Sequence, residues 1–220
     1  MANQLDLQEQ EQLDDLKAFW KQYGNLITWV VTVVLLAFAA WNGWGLWQRD
    51  QATKAAALFE ALDQAAAAGD APRTGQAFDD LKDRYPRTAF TQQGGLLAAK
   101  VQADKGQADR SKAILAWVAD NALEDEYRTI ARLRLAAQLL DAKQYDEALK
   151  QVDAAKSPSF AGLVGDRKGD ILMALGKADA AKAAYAAAYK ALDEKVEYRR
   201  IVEAKLTAMG AAPAASGATP

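Results

Sequence analysis

The stretch from Gly169 to Leu192 reads GDILMALGKADAAKAAYAAAYKAL, and its pattern indicates how this chain folds. Small residues recur along it at the spacing expected of two antiparallel helices joined by a short turn. Two helices that cross closely need small side chains where they touch and one bulky side chain beside the contact. The residues that fit this rule are Gly169, Leu172, Gly176, Ala181, Tyr185 and Ala188.

The pattern recurs upstream at nearly regular steps between equivalent positions. It resembles the tetratricopeptide repeat, whose period of about 34 residues is close to each of these steps. The preceding copy is good, with the turn at residues 143–147, whereas the two earliest copies are degenerate. The matching residues are Ala136, Leu139, Ala148, Val152 and Ala155, then Ala99, Gly106, Ser111, Leu115 and Val118, and finally Phe78, Leu81 and Pro86.

The remainder of the chain after Arg49 is also predicted to be helical, because alanine, leucine, lysine and glutamine dominate it. We therefore predict an all-α fold in which a repeat domain of helical hairpins covers residues 49–209. Residues 194–209 supply a capping helix, and the uncharged tail 210–220 is predicted to be disordered. Breaks between helices are expected at residues 67–72, 84–88, 104–107, 141–144, 156–159 and 175–178.

Residues 24–48 are predicted to form one transmembrane helix. The run from Leu26 to Trp47 carries no formal charge. As a helix it would span about 33 Å, enough to cross a hydrocarbon core of about 30 Å. Aromatic rings favour the headgroup level of a bilayer. The predicted interface anchors are Trp20, Tyr23, Trp41, Trp44 and Trp47.

A cleaved secretion signal is the alternative interpretation of this segment, because residues 37–39 read Ala-Phe-Ala. Two features favour the uncleaved anchor. The preceding tail of residues 1–23 is long, acidic and modestly amphipathic, and the apolar run continues past Ala39 to Trp47. The basic residues flanking the span, two on each side, do not decide its orientation.

Composition restricts the function. The chain has 27 basic and 29 acidic residues, no histidine and no cysteine. Histidine-based catalytic triads, the usual zinc sites and thiolate chemistry are therefore excluded, and the charge balance does not favour nucleic acid. The acidic runs 79–80 and 124–126 lack a convergent partner, and the glycines at 94–95 and at 162 and 165 lack a phosphate-binding motif. We predict no enzyme, no cofactor and no metal.

The whole chain resembles the ancillary SecYEG translocon subunit family of Gram-negative bacteria. The resemblance depends on this architecture and on the stretches DLKAFWKQYGN, AWVADNA and ARLRLAAQLLDAKQYDEAL. It implies a single-pass inner-membrane protein with a cytoplasmic N-terminus and a periplasmic repeat domain. The implied partners are Sec translocon subunits, periplasmic chaperones and exported polypeptides.

A protein-binding groove is the expected functional site, because the first helices of stacked hairpins line a concave surface. Two alternatives stay open: a scaffold in envelope biogenesis or cell division without a translocon role, and an adaptor whose repeats face the cytoplasm. By analogy with the repeat pattern, the predicted groove residues are Lys100, Asp104, Leu133, Ala137, Asp141, Asp166, Asp170 and Met173.

Overall fold

The computed structural model describes residues 7–212, with side chains from residue 11 onward. These residues form nine α-helices and no strand, which confirms the predicted all-α class. Most of the predicted tail, residues 213–220, lies outside the described residues, as do residues 1–6. The helices are α1 (Leu7–Ala67), α2 (Ala71–Arg84), α3 (Ala89–Asp104), α4 (Ala108–Asn121), α5 (Asp125–Asp141), α6 (Tyr145–Asp153), α7 (Ala161–Ala174), α8 (Ala178–Ala191) and α9 (Tyr198–Ala208), with a 3₁₀ turn at Pro158–Phe160.

The chain divides into two compact units, with the boundary between Gln51 and Ala52. The first unit is the longer part of α1. The second contains the end of α1 and the helices α2 to α9. The end of α1 pairs with α2, and three further hairpins, α3 with α4, α5 with α6 and α7 with α8, precede α9. The predicted repeat domain, residues 49–209, falls almost entirely within the second unit.

The turn inside each hairpin has the same geometry. One residue has a positive φ in every turn: Gly69 (65°), Gly106 (75°), Lys143 (60°) and Gly176 (74°). Its amide and the next one donate to carbonyls of the preceding helix, for example Gly176 N to Met173 O at 2.9 Å. This is the Schellman arrangement that ends a helix. The near-regular spacing of these four positions along the chain confirms the predicted repeat steps.

Close contacts inside the hairpins explain the small residues. A Cβ on Gly169 would lie 2.4 Å from Cε1 of Tyr185, so only glycine lets α7 approach α8 this closely. Gly95 fills the corresponding role on α3, where a Cβ would lie 2.4 Å from Cγ2 of Val118 and 2.9 Å from Cε2 of Phe78. The predicted contact residues Ala181 and Ala188 are both fully buried.

The first repeat, although degenerate in sequence, still folds as a hairpin. The end of α1 and α2 bury Leu62, Phe78 and Leu81 at 1% exposure or less. Leu62 occupies the place that Ala99 and Ala136 hold in the next two repeats, so a large side chain stands where a small one was expected. Burial of apolar area therefore preserves this hairpin without the small-residue pattern.

Two boundaries differ from the sequence prediction. No break was predicted near residue 122, yet α4 ends at Asn121 and α5 begins at Asp125. Oε1 of Gln92 accepts hydrogen bonds from the amides of Leu123 and Glu124, at 3.1 and 3.4 Å, so a side chain from α3 stabilises this break. The capping helix is confirmed, but it begins at Tyr198 rather than residue 194.

The apolar part of α1 has no buried face. Its exposed large apolar side chains between Leu26 and Trp47 range from 50% to 80% exposure. Its three polar side chains bond to the backbone one turn earlier: Thr28 Oγ1 to Gly24 O and Thr32 Oγ1 to Thr28 O, both at 2.8 Å, and Asn42 Nδ2 to Phe38 O at 3.0 Å. These bonds satisfy donors without water, as a lipid environment requires.

Candidate protein-binding surface

A pocket lies where the first helices of the third and fourth hairpins, α5 and α7, run side by side. Its volume is about 200 Å³. Most of its exposed lining is apolar, and α9 closes one side. The lining residues are Leu133, Arg134 and Ala137 of α5, Leu163 and Arg167 of α7, and Tyr198 of α9.

The predicted groove residues divide into four groups of two in the structure. Leu133 and Ala137 lie together in the pocket. Lys100 and Asp104 pair on the exposed surface of α3, with Lys100 Nζ 2.5 Å from Asp104 Oδ2. Asp141 and Met173 are exposed near the C-terminal ends of α5 and α7 and are not among the residues that line the pocket.

The remaining two predicted groove residues, Asp166 and Asp170, hold α9 against α7. Asp166 is 1% exposed, so its carboxylate is not part of an open surface. Lys205 Nζ lies 2.8 and 2.9 Å from the two oxygens of Asp166 and 2.7 Å from Oδ1 of Asp170. The hydroxyl of Tyr198 donates to Asp166 and that of Tyr185 donates to Asp170, each at 2.7 Å.

This network of two carboxylates, one ammonium and two phenols is satisfied internally. A buried carboxylate is costly unless it is paired and hydrogen-bonded, and here each carboxylate has both kinds of partner. Burial raises the pKa of Tyr185 above its ordinary value, and the hydrogen bond to Asp170 adds to this. Burial followed by the hydrogen bond to Asp166 likewise raises the pKa of Tyr198. Both phenols are therefore held as hydrogen-bond donors.

Four pocket residues were not predicted from the sequence: Arg134, Leu163, Arg167 and Tyr198. The sequence held a signal for the two arginines, namely their spacing. Arg134 and Arg167 are separated by the same number of residues as Lys143 and Gly176, which are the turn residues of the same two hairpins. Equivalent positions in successive hairpins lie on neighbouring helices, so two arginines at that spacing approach the same groove. No comparable signal marks Tyr198, because α9 is not part of a repeat.

The two arginines differ in how far they are neutralised. NH1 of Arg134 donates to the carbonyl of Leu96 at 3.1 Å, and no carboxylate within residues 11–212 lies in ion-pair distance of it. Arg167 has Asp170 at 3.7 Å, but that carboxylate is also bound by Lys205 and Tyr185. The pocket therefore combines an apolar floor with net positive charge at its edge.

The acidic pairs and glycine pairs of the sequence have structural roles. Asp79 pairs with Lys82 and with Arg110. A Cβ on Gly162 would lie 2.5 Å from Cγ of Leu192, and Gly95 contacts Phe78 and Val118 in the same way, so these glycines permit close helix packing. No group of three metal-ligating side chains occurs in the part of the chain that the structure describes.

The fold and this surface define a class: a helical-hairpin repeat protein with an open pocket between the first helices of two hairpins and one N-terminal helix long and apolar enough to span a membrane. Within that class, the chain belongs to the tetratricopeptide repeat-like domain family, whose model matches residues 17–211. The exposed apolar span of α1 fits a membrane protein.

Relatives of this chain cover most of its length. It is 28% identical to the ancillary SecYEG translocon subunit of Neisseria gonorrhoeae over 207 residues, a length that covers 92% of this chain and 98% of the relative. The proteins of the same name from Escherichia coli and Haemophilus influenzae are each 25% identical, over 83% and 80% of this chain and 87% and 86% of their own lengths. The resemblance identified from the sequence is thus confirmed.

Proposed function

We propose that this chain is an ancillary subunit of a bacterial Sec translocon that binds polypeptides as they leave the channel. Its N-terminus lies in the cytoplasm, α1 crosses the inner membrane and the repeat domain lies in the periplasm. The observation that carries the proposal is the similarity of most of the chain to relatives named ancillary SecYEG translocon subunit. An apolar helix without a buried face and an open pocket between repeat hairpins, on one chain, support the same role. The role is binding and not catalysis.

The chemistry of the groove suits brief contact with many polypeptides. Its accessible residues mix apolar side chains such as Leu133 and Met173 with charged ones such as Lys100 and Arg134. A single pocket of about 200 Å³ buries too little of a partner for a long-lived complex by itself. Anchoring near the channel supplies the missing occupancy, because a tether gives effective concentrations in the mM range. Periplasmic chaperones would then receive the released segment.

Site-specific photo-crosslinking of the full chain in living bacteria tests this proposal. A photoreactive residue at Ala137, in the pocket, should give adducts with exported polypeptides. The same residue at Ala187, exposed on α8, is the matched control and should give few. A third position at Trp44 should give adducts with translocon subunits. Adducts confined to envelope-biogenesis or division proteins would instead support the scaffold without a translocon role.

Topology needs a separate test. Protease added to spheroplasts should digest the repeat domain and leave a protected fragment that contains residues 1–48. Resistance of the repeat domain until the membrane is broken would place it in the cytoplasm and contradict the proposed orientation. Release of the chain by carbonate washing would contradict the membrane anchor.

A further inference from the structure

We propose that the pocket between α5, α7 and α9 binds an apolar side chain that has an acidic residue beside it in an extended polypeptide. The inference deepens the proposed function, on which it rests, by naming the chemical class of segment that the groove selects. The occupant is an internal segment of another polypeptide, and the recognised groups are its apolar side chain and its neighbouring side-chain carboxylate.

The size and lining of the pocket fit one apolar side chain. An engineered cavity of about 150 Å³ with an apolar lining holds one benzene molecule, and this pocket has about 200 Å³. Leu133, Ala137 and Leu163 provide the apolar contacts. The pocket therefore accommodates a single phenylalanine or leucine side chain and has no room for a helix, whose diameter is about 10 Å or more.

The charge at the edge of the pocket favours a carboxylate. Arg134 is exposed and donates to a backbone carbonyl, so its positive charge is not neutralised by any described acid. The carboxylate nearest Arg167, that of Asp170, already receives Lys205 and Tyr185. A guanidinium group binds carboxylates with directed, charge-assisted hydrogen bonds. Two such groups on neighbouring helices make an acidic segment the complementary ligand.

Tyr198 makes the pocket wall rigid. Its hydroxyl donates to Asp166, and Lys205, two turns further along α9, holds the same carboxylate, so the acceptor of this hydrogen bond is itself fixed. As a lining residue, Tyr198 offers apolar contact at low cost in side-chain entropy. Because the Tyr198 side chain is already in place before a ligand arrives, binding does not have to order it, and the entropy cost of forming the complex is lower.

Peptide titrations with the full chain in mild detergent test this inference. The probes are short, fluorescently labelled, glycine- and serine-rich peptides with a central Phe-Glu, Phe-Gln or Ser-Glu pair. We expect Phe-Glu to bind about two- to five-fold more tightly than Phe-Gln, the range of an exposed ion pair, and this ratio to fall as salt is raised. Ser-Glu should bind about ten-fold more weakly than Phe-Glu.

Variants of the arginines assign the effect to this pocket. Arg134→Gln combined with Arg167→Gln should abolish the preference for Phe-Glu over Phe-Gln. Retained binding of Phe-Gln shows that the variant is folded. Arg73→Gln removes one positive charge from α2, away from the pocket, where the arginine side chain is 81% exposed, and should leave the preference unchanged.

Each outcome has a separate meaning. Equal affinity for Phe-Glu and Phe-Gln in the unaltered chain overturns the inference, and so does a preference that survives the double substitution. Crosslinks to exported polypeptides without a carboxylate preference would remove this inference alone. A carboxylate preference without crosslinks to translocon subunits or exported polypeptides would contradict the proposed function but support the inferred selectivity of the pocket.

Discussion

The ring of Tyr185 occupies the space that any side chain on Gly169 would need, since a Cβ there would lie 2.4 Å from Cε1 of the tyrosine. This contact sets the distance between α7 and α8. The same tyrosine donates to Asp170 through its hydroxyl, at 2.7 Å. One side chain thus joins the packing of the last hairpin to the attachment of α9.

Gly169→Ala should destabilise the repeat domain by about 1–3 kcal/mol, because an added methyl group in a packed contact forces the neighbouring ring to move. Urea unfolding of the full chain in mild detergent, followed by circular dichroism, measures this. In a Tyr185→Ala background the same change should be neutral or stabilising, since alanine is the better helix former. Equal costs in the two backgrounds would show that the contact is not responsible.

Lys143→Gly should raise the free energy of unfolding by about 1 kcal/mol, because glycine adopts a left-handed conformation without the strain that a Cβ brings. Lys143 has φ of 60°. Gly176 has φ of 74° in the equivalent turn and open space around it. Gly176→Ala is therefore the matched control and should lose a similar amount in the same urea titration. A loss of stability in both variants would contradict the strain argument.

Gln92→Ala should cost about 1–3 kcal/mol, because it leaves the amides of Leu123 and Glu124 without their acceptor at the start of α5. The neighbouring Gln93 is exposed and bonds to the hydroxyl of Tyr127 at 2.8 Å. Gln93→Ala should change stability by less than about 0.5 kcal/mol. Hydrogen exchange at the first turn of α5 should increase only in the Gln92 variant, and unchanged protection there would refute the capping role.

Alkaline pH should loosen the attachment of α9. The folded pKa values of Tyr185 and Tyr198 are both raised, by burial first and by Asp170 and Asp166 second. Above the ordinary tyrosine pKa of about 10, the unfolded chain releases protons that the folded chain keeps, so stability falls as pH rises. The loss is at most about 1.4 kcal/mol per tyrosine for each pH unit.

Comparison with a phenylalanine variant isolates this effect from the titration of lysines. Tyr185→Phe with Tyr198→Phe should be less stable than the unaltered chain near neutral pH, because two hydrogen bonds are lost. Between about pH 9 and 11 its stability should then fall less steeply. Parallel slopes in urea titrations across that range would show that the two phenols do not govern the alkaline response.

The groove could be predicted only in part. The repeat step placed Leu133 and Ala137 on the first helix of a hairpin, and both lie in the pocket. The same step applied to Asp166 and Asp170 reached the correct helix but not the correct environment, because α9 covers those two residues. Repeat periodicity specifies which face of a helix a residue is on, and it carries no information about what else packs there.

The sequence by itself determined the all-helical class, the hairpin turns and the apolar span. These depend on local rules: glycine for a positive φ, small residues at crossings, and a charge-free run long enough for a bilayer. Tertiary structure alone decided the break that Gln92 caps, the Lys205–Asp166 contact and the arginine-edged pocket. Each of these features joins residues that are far apart in the chain. The distance between such residues is set by how whole helices pack, and the local conformational preferences of the residues contribute little to that packing.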